Sequence, residues 1–365
     1  MPPLKTVTGD HAGPTKGRGA TLNPEGRFES VRREAFDDGW DVPLPDEPGR
    51  PRTTVTLENA KSLIQRNDSP DVPFNFSINP YRGCEVGCAY CYARPSHAYL
   101  ELSPGLDFET RLFAKVNAAE VLREELARPG YRCESITIGA NTDPYQPIER
   151  KWQITRKVLE VLSACEHPCS IVTKNALVER DLDLLAPMAR KNLVQVFVSV
   201  TTLDHELARK MEPRASAPTR RIETLRNLAA SGVPVGVMVA PVVPFLTDSG
   251  IESVLEAAAR AGAKSAGYTL MRLPWELKEL FKDWLQHNFP LKADHVMSRV
   301  RQMRKGKESD PNFGTRHTGE GLLAELLQKR FDIACQRLGL NRERRKPLDT
   351  TRFKPPASPG QMDLF

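Results

Sequence analysis

The stretch Asn79-Pro80-Tyr81-Arg82-Gly83-Cys84-Glu85-Val86-Gly87-Cys88-Ala89-Tyr90-Cys91-Tyr92 carries three cysteines at the spacing C-x3-C-x2-C. A loop this short can direct three sulfurs at one centre, and thiolate ligands favour zinc or an iron–sulfur cluster. Structural zinc needs four ligands; no second cysteine pair follows at zinc-finger spacing, so a zinc site would need His97. A [4Fe–4S] cluster held by three cysteines leaves one iron open. We adopt the cluster interpretation and keep zinc as an alternative.

Length and composition limit the class of protein. The chain has 365 residues, 40% of them hydrophobic, which suffices for one large domain or two smaller ones. No apolar run approaches the ~18 residues of a membrane span, and the first residues lack the apolar core of a signal peptide. An odd number of cysteines, seven, argues against a secreted disulfide framework. We therefore predict a cytoplasmic protein in which the cysteines outside the motif are buried apolar residues.

The charge is unevenly distributed. The formal net charge is +6, and from residue 292 onward 16 Lys and Arg stand against 9 Asp and Glu. A basic C-terminal part favours a polyanionic partner, whereas a solvated basic helix needs no partner.

A repeating pattern of short β-branched runs and amphipathic helices begins near residue 74. The helix after the first run is predicted near 109–127. Such alternation predicts βαβ units and a parallel sheet. Six units are too few for a closed eight-stranded barrel, so we predict an α/β protein with a partial (β/α)6 barrel. The six runs cover residues 76–79, 135–140, 170–174, 194–200, 233–240 and 264–270.

Polar residues follow most of the predicted strands. The first strand leads to the cysteines, and later strands end in 141–143, 173–175 and 199–202. In parallel α/β folds the chemistry gathers at the carboxyl ends of the strands. These polar strand ends are therefore expected to line one site.

The cysteine spacing, with Tyr90 just before the last cysteine, resembles the signature of the radical S-adenosylmethionine (SAM) enzymes. The partial barrel is the core fold of that family. The resemblance implies that Cys84, Cys88 and Cys91 hold a [4Fe–4S] cluster whose open iron chelates SAM. It also implies reductive cleavage of SAM to a 5′-deoxyadenosyl radical, with the cofactor performing the hard chemistry. An electron donor such as flavodoxin or ferredoxin is implied as a partner.

The same resemblance assigns the polar strand ends to SAM. Lys174 corresponds to the lysine that meets the SAM carboxylate, and a point charge suits that role. The alternative for residues 141–143 is a strand-to-loop turn, since Asn-x-Asp-Pro is good turn chemistry; surface positions are the alternative for Lys174 and Ser199. The implied SAM contacts are the Tyr90 backbone, Asn141, Thr142, Asp143, Lys174, Ser199 and Arg214.

The Glu-Pro-Arg sequence at residues 212–214 resembles the spore photoproduct lyase-like branch, which is associated with DNA repair. Arg214 is expected to grip the SAM carboxylate with its two-pronged guanidinium. The alternative is a structural pair between Arg214 and Glu212. This branch resemblance covers roughly residues 75–270.

One position departs from the branch. In the lyase a cysteine three residues before the aspartate of the second-strand motif donates a hydrogen atom, and Ala140 stands there in this chain. We therefore do not carry over the lyase reaction. Tyr92 and Tyr145 are candidates for relaying the hydrogen atom, with a buried aromatic role as the alternative for each.

The C-terminal part loses the βαβ pattern. Helices are predicted at 275–287, 293–304 and 321–340, and a Pro-rich basic stretch then leads to Gln361-Met362-Asp363-Leu364-Phe365. This pentapeptide resembles the motif that binds the bacterial DNA polymerase sliding clamp. The alternative is a tail that folds onto its own domain. A Pro-containing tether would leave such a peptide free to reach a partner.

These patterns predict four parts: an irregular, partly disordered extension (1–72), a radical SAM barrel (73–273), a basic helical region (274–346) and a flexible tail (347–365). We expect a radical SAM enzyme that acts on DNA. One alternative is a radical SAM enzyme acting on a small molecule or a protein. Another is a zinc-containing nucleic-acid-binding protein without catalysis.

Overall fold

The structure is a computed structural model that describes residues 17–29, 52–342 and 346–356. The strands are β1 (Thr54–Glu58), β2 (Gln65–Arg66), β3 (Phe76–Ile78), β4 (Tyr81–Arg82), β5 (Arg111–Lys115), β6 (Ile136–Ile138), β7 (Cys169–Thr173), β8 (Val194–Ser199), β9 (Val235–Val242) and β10 (Ser265–Leu270). The α-helices are α1 (Asp107–Thr110), α2 (Ala118–Leu126), α3 (Glu149–Trp152), α4 (Ile154–Ala164), α5 (Leu182–Arg190), α6 (His205–Met211), α7 (Pro218–Ala230), α8 (Ile251–Arg260), α9 (Leu277–Asn288), α10 (Ala293–Gln302) and α11 (Leu322–Leu338). Short 3-10 helices span Arg94–Leu100, Ala176–Asp181 and Asp248–Gly250.

The larger sheet has the strand order β10-β9-β8-β7-β6-β3-β2. From β3 to β10 its neighbouring strands are parallel, and β2 pairs antiparallel at the edge. The six parallel strands lie at the six predicted runs, with helices between them. In the described ranges no hydrogen-bonded pairing joins β10 to β3, so the sheet is open. The predicted α/β class and partial (β/α)6 barrel are confirmed.

The strands are apolar because both faces of the sheet are covered. In β8 the side chain of Gln195 is half-buried and the rest are buried. Helices such as α4 and α8 lay their apolar faces against the sheet, burying Val158 and Leu162 from one and Val254 and Leu255 from the other. Strands buried on both faces read as continuous apolar runs, which explains why the sequence pattern located them.

The last helix, α11, belongs to the barrel rather than to a separate basic region. It packs on α8 and β10, where the rings of Tyr268 and Phe331 have centroids 4.7 Å apart. The Tyr268 hydroxyl also donates a 2.6 Å hydrogen bond to the Gln328 carbonyl oxygen. Helix α11 therefore covers the sixth strand as the sixth helix of the barrel.

The predicted helix at 109–127 is wrong in its first part. Residues 111–115 form β5, which pairs with β1 in parallel and with β4 antiparallel in a second sheet of three strands. Leu112 and Ala114 are buried, whereas Phe113 between them is half-buried, a period of two rather than a helical one. The partner strand β1 is more than fifty residues away in a segment predicted to be irregular. Such non-local pairing overrides the local pattern.

A second core surrounds the cysteine loop, residues 83–92. Val86 and Ala89 of this loop pack in one buried cluster with Phe281 and Trp284 of α9 and with the buried face of α10. The Trp284 indole donates to the Lys210 carbonyl oxygen at 3.2 Å. Helices α9 and α10 therefore enclose the cysteine loop, and the core that they form with it is separate from the barrel core.

Residues 17–29 pack against the other side of the cysteine loop. The backbone amides of Gly19 and Ala20 donate to the Glu109 carboxylate at 3.0 and 2.7 Å. Gly19 lies so close to Gly87 that an added Cβ would be 1.7 Å from the Gly87 carbonyl oxygen. This part of the extension has no helix or strand, and its contacts with the loop hold it in place.

Residues 346–356 cross the amino end of the barrel. The Lys354 amide donates to the Cys165 carbonyl oxygen at 2.9 Å, just before β7. The Phe353 ring packs against Tyr131 and His167, with centroids 5.3 and 5.2 Å away. The predicted flexible tail therefore begins with a docked segment, and the pentapeptide Gln361–Phe365 lies outside the described residues.

All seven cysteines are free thiols. Cys165, Cys169 and Cys335 are buried as predicted, and Cys133 is half-buried. In the described ranges no helix combines the length and apolar character needed to cross a membrane.

Gly19→Ala is expected to displace residues 17–29 from the loop, because the added Cβ collides with the Gly87 carbonyl. Overpacking of this kind costs about 1–3 kcal/mol. Trypsin should then cleave after Arg18, which is buried in the native protein, faster than in the wild type, as measured by mass spectrometry of timed digests. Gly250→Ala is the control, since a Cβ there meets nothing within 4 Å. Equal cleavage in variant and wild type would contradict this packing.

Candidate functional site

The cysteine loop follows β3 and β4 at the carboxyl end of the barrel. Cys84 and Cys88 are buried and Cys91 is half-buried. Gly83 and Gly87 precede Cys84 and Cys88 with φ angles of 71° and 70°. Only glycine adopts such left-handed angles without strain, so the two glycines turn the chain before each of these cysteines.

The three thiols lie close enough to influence one another. Burial, followed by the charges of Asp143, Cys88 and Cys91, raises the pKa of Cys84, and burial raises the pKa of Cys88 to about 12. Burial therefore keeps the Cys84 and Cys88 thiols protonated at neutral pH when no metal is bound. The chemistry of these free cysteines fits an iron–sulfur cluster.

The spacing of the thiols differs from that of a single-ion site. Among the residues that the structure describes, no group of three or more His, Cys, Asp or Glu side chains is arranged to hold one metal ion. In an iron–sulfur cubane each cysteine binds a different iron, so its sulfurs lie farther apart than the ligands of one ion.

A buried ion pair between Arg94 and Glu109 supports the backbone of the cysteine loop. The guanidinium of Arg94 and the carboxylate of Glu109 are 2.5 Å apart, with exposures of 1% and 0%. Arg94 also donates to the carbonyl oxygens of Cys88 and Gly105 at 3.0 and 2.8 Å. A pair this deeply buried needs such additional hydrogen bonds, and here they fix the backbone at Cys88.

A second buried ion pair, between Glu212 and Arg221, connects the cysteine loop to the barrel. One oxygen of the Glu212 carboxylate accepts hydrogen bonds from the hydroxyls of Tyr90 and Thr201, and the other pairs with Arg221. Burial opposes ionisation of Glu212, but Arg221 and Lys174 outweigh it, so the pKa of Glu212 lies below its ordinary value. Glu212 is therefore a charged anchor that joins the cysteine loop, the end of β8 and helix α7.

Arg214 does not form the pair with Glu212 that we left open. Its guanidinium pairs with Glu85 of the cysteine loop, and its backbone amide donates to the Val86 carbonyl oxygen at 3.2 Å. Glu85 also accepts a 2.5 Å hydrogen bond from the Thr53 hydroxyl. The Glu-Pro-Arg sequence therefore contacts the cysteine loop through both of its charged residues.

The residues after β6 are held by Asn79. Its side-chain oxygen accepts from the backbone amides of Asn141 and Thr142 at 2.8 and 3.3 Å. The Thr142 hydroxyl donates to the Tyr81 carbonyl oxygen at 3.2 Å. No hydrogen bond to the side-chain amide of Asn141 is found in the described part of the chain, and this amide is half-buried.

Asp143 ties two strand ends together. One carboxylate oxygen accepts from the Tyr145 amide and the Thr173 hydroxyl at 2.9 and 2.7 Å. The other accepts from the Lys174 amide and the Asn175 side chain at 2.8 and 3.1 Å. A carboxylate offers about four acceptor positions, and protein donors occupy all of them here. The contacts of Asp143 are those of a residue that positions the ends of β6 and β7.

Lys174 and Ser199 lie at the ends of β7 and β8. Burial opposes the charge of Lys174, but Cys88 and Glu212 outweigh it and raise its pKa. Its ammonium lies 5.9 Å from the centre of the Tyr90 ring, and within the described ranges it has no hydrogen bond or ion pair. Ser199 is buried, and its carbonyl oxygen accepts from Arg221 at 2.9 Å. Lys174 thus offers an ammonium beside the cysteines.

The two tyrosines occupy different environments. Tyr92 is 47% exposed and its hydroxyl donates to the carbonyl oxygen of Ala140. Tyr145 is 1% exposed and its hydroxyl donates to Asp181 at 3.0 Å. Tyr92 therefore lies at the surface of the site, whereas Tyr145 lies inside the protein.

His97 has the contacts of a core histidine. It is fully buried, its Nε2 is 2.9 Å from the Arg111 carbonyl oxygen, and its ring packs edge-on against Phe108 at 5.4 Å. Burial lowers the pKa of His97 to about 4. These contacts do not favour the zinc alternative, in which His97 is the fourth ligand.

Sequence reasoning missed the supports of the loop. Arg94 and Glu109 belong to no motif, and the sequence predicts Asn79 only as the end of the first strand, with no role in holding residues 141 and 142. Glu212 and Arg221 both stood in the Glu-Pro-Arg neighbourhood, but their pairing depends on how α7 returns to the sheet. The sequence around Glu109 and Arg221 is itself polar and charged, so it gives no local signal that these residues form buried pairs.

Comparison with known sequences places the site in a family. A sequence model described as the radical SAM superfamily matches residues 78–258. The chain is 39% identical over 245 residues to an uncharacterized protein of Mycobacterium tuberculosis, covering 66% of this chain and 71% of that protein. It is 25% identical over 215 residues to an uncharacterized protein of Methanocaldococcus jannaschii, covering 59% of this chain and 76% of that protein.

The fold is similar to that of spore photoproduct lyase. A structure of that enzyme complexed with dinucleoside spore photoproduct aligns with a TM-score of 0.59 at 17% identity, covering 78% of this chain and 80% of that one. The segment matched by the family model begins at the end of β3, includes the whole cysteine loop and continues into α8. The chain therefore belongs to the radical SAM superfamily and is a radical SAM enzyme.

Proposed function

We propose that this enzyme holds a [4Fe–4S] cluster on Cys84, Cys88 and Cys91, cleaves SAM reductively and acts on DNA in the cytoplasm. The observation that carries the proposal is the enclosed loop of three free cysteines beside the unpaired ammonium of Lys174. When bound, the cluster would supply the electron for SAM cleavage. The two buried ion pairs hold the loop in one conformation, so its cysteines are preorganised for this ligand.

Lys174 is the best-supported contact for SAM. A carboxylate placed between its ammonium and the cysteines would gain a charge-assisted hydrogen bond. The half-buried Asn141 side chain is available to the SAM ammonium, whereas Thr142 is buried with its hydroxyl bonded to the Tyr81 carbonyl oxygen and would act by positioning Asn141. Ser199 and the Tyr90 backbone complete the set. Asp143 acts through these residues by holding the strand ends, and Arg214 would exchange its pair with Glu85 for the SAM carboxylate.

Tyr92 is the better candidate for a hydrogen-atom relay. Tyr92 is half-exposed, and its hydroxyl donates to the carbonyl oxygen of Ala140, the position at which the lyase-like pattern has a cysteine. Tyr145 would need to act from inside the protein, through the hydroxyl that now contacts Asp181. The contacts therefore favour Tyr92 at the surface of the site.

DNA is proposed as the substrate on three grounds. The chain carries a net charge of +6, with its excess after residue 292. The similar fold of spore photoproduct lyase has been solved with a dinucleoside photoproduct. The terminal pentapeptide resembles a clamp-binding motif, which would bring the enzyme to replicating or repaired DNA. A small molecule or a protein remains the alternative substrate, and a flavodoxin- or ferredoxin-type protein is the proposed electron donor.

Replacing Cys84, Cys88 and Cys91 together by Ala should abolish iron binding. The wild type should carry about four irons per chain after anaerobic reconstitution, as a cubane requires. Iron analysis and the visible absorbance of the cluster measure the iron bound by the variant and by the wild type. Replacing Cys165, Cys169 and Cys335 together by Ala is the control, because these buried thiols are expected to hold no iron. Retention of iron by the first variant would refute the cluster assignment.

The substrate class is tested on the reconstituted wild type. Release of 5′-deoxyadenosine from SAM should rise when DNA carrying lesions is added, because a bound substrate completes the site. Cleavage without any response to DNA would reject DNA while preserving the radical SAM assignment, and it would favour the small-molecule or protein alternative.

Lys174→Ala should weaken SAM binding, since it removes a charge-assisted contact of roughly 1.5–3 kcal/mol. Isothermal titration of the reconstituted protein with SAM measures the change in Kd. Lys191→Ala is the matched control: Lys191 pairs with Glu166 at 3.0 Å, near the amino end of the barrel. If the two variants bind SAM equally well, Lys174 does not contact it.

A labelled peptide ending in Gln361–Phe365 should bind the sliding clamp with micromolar affinity. Large apolar anchors dominate small interfaces, so replacing Leu364 and Phe365 by Ala should abolish binding. Fluorescence anisotropy measures both peptides, and a scrambled peptide of the same composition is the control. No binding at high clamp concentration would withdraw the clamp as a partner.

A further inference from the structure

Near the carboxyl end of β10 lie two guanidinium groups that have no carboxylate partner among the described residues. Arg272 lies two residues after the end of this strand and is half-buried. In the described part of the chain its guanidinium has no hydrogen bond or ion pair. The guanidinium carbon lies over the face of the Tyr92 ring, 5.4 Å from the ring centre. An arginine without an anionic partner at the edge of a site is available to a ligand.

Arg304 lies behind Arg272 and is 3% exposed. One of its terminal nitrogens donates to the carbonyl oxygens of Met271 and Arg316 at 2.6 and 3.1 Å. Its Nε and its other terminal nitrogen are buried without a hydrogen-bond partner in the described ranges. Buried donors of a charged group are normally satisfied, so two of the three guanidinium nitrogens lack an acceptor among the described residues.

The neighbouring charges do not neutralise this pair. Arg316 is already held by Asp71 and Ser69. Asp310 accepts hydrogen bonds from Thr315 and from the Asn312 amide. Burial, followed by the charge of Arg316, lowers the pKa of Arg272. Burial also lowers the pKa of Arg304; the charge of Asp310 opposes this shift and the charge of Arg272 adds to it. The region therefore carries more positive charge than its carboxylates balance.

The loop that carries these charges is fixed to the barrel. The Leu270 amide donates to the His317 carbonyl oxygen at 2.8 Å, and the Gly314 amide donates to Asp71 at 2.6 Å. Because Arg272 stacks on Tyr92, which follows Cys91 in the chain, the positive region borders the cysteine loop. A ligand bound at Arg272 would have its neighbouring atoms close to the proposed radical chemistry.

We propose that Arg272, backed by Arg304, forms a binding site for a phosphodiester of the nucleic-acid substrate beside Tyr92. This inference rests on the proposed action on DNA and names the residue that holds the DNA backbone. The planar fork of arginine matches two phosphate oxygens at once. Two guanidinium groups with a surplus of positive charge suit a phosphate, which is strongly charged and hydrated, better than a neutral base.

The test measures binding of a labelled single-stranded oligonucleotide to the reconstituted enzyme across a range of salt concentrations. Arg272→Gln should raise Kd about tenfold, as expected for the loss of one charged hydrogen-bonding group. It should also reduce the slope of log K against log salt by about 0.7, the value for one phosphate contact on a single strand. Arg272→Lys should retain most of the salt slope while losing affinity, because it keeps the charge without the fork.

Arg260→Gln is the matched control. Arg260 is 71% exposed at the end of α8, on the opposite side of the barrel, and pairs with Glu256 at 3.4 Å. This variant removes the same charge and should bind as the wild type does. Iron content per chain verifies that each variant is folded. Equal affinity and equal salt slope in Arg272→Gln and the wild type would overturn the proposal.

A second arm separates this inference from the proposed function. If the wild type binds no oligonucleotide, a nucleoside 5′-monophosphate and inorganic phosphate are titrated by calorimetry. Binding that is lost in Arg272→Gln would show a phosphate site that serves a small-molecule substrate. The proposal that the enzyme acts on DNA would then be rejected, and the phosphate site at Arg272 would be confirmed. No binding of any phosphate by the wild type would overturn the site itself.

Discussion

The buried ion pair between Glu212 and Arg221 is the interaction on which the site depends. Moving a carboxylate and a guanidinium out of water costs several kcal/mol each, and only close pairing with further hydrogen bonds offsets this. Here the additional bonds come from Tyr90 and Thr201, and Arg221 also binds the Ser199 carbonyl. The same contacts that stabilise the charges therefore also set the position of the cysteine loop relative to β8 and α7.

Two buried ion pairs fix the cysteine loop, and they connect it to different parts of the chain. Glu212 and Arg221 connect it to the barrel, whereas Arg94 and Glu109 connect it to residues 17–29 through the amides of Gly19 and Ala20. Helices α9 and α10 close the remaining side with apolar contacts. Three segments distant in sequence thus enclose a loop that would otherwise expose its thiols to solvent. This enclosure explains why residues outside the barrel are part of the site.

The sequence predicted the elements whose signals are local and missed those that depend on distant partners. The six parallel strands were located because burial on both faces makes their runs apolar. The predicted helix was wrong at 111–115, where β1 provides the hydrogen bonds that make a strand. The three cysteines were found from spacing alone, but the pairing of Arg214 with Glu85, and not with Glu212, depends on which side of the loop α6 meets. The full use of the Asp143 acceptors likewise depends on β7, thirty residues away.

The two ends of the barrel carry different tasks, and this follows from the parallel topology. Every parallel strand delivers its carboxyl end to the side of the cysteine loop, so Lys174, Tyr92 and Arg272 gather there from β7, from the loop and from β10. Residues 346–356 lie at the opposite end, where the Phe353 ring packs against Tyr131 and His167 and the Lys354 amide donates to the Cys165 carbonyl oxygen. The chain therefore leaves residue 356 on the side away from the cysteines.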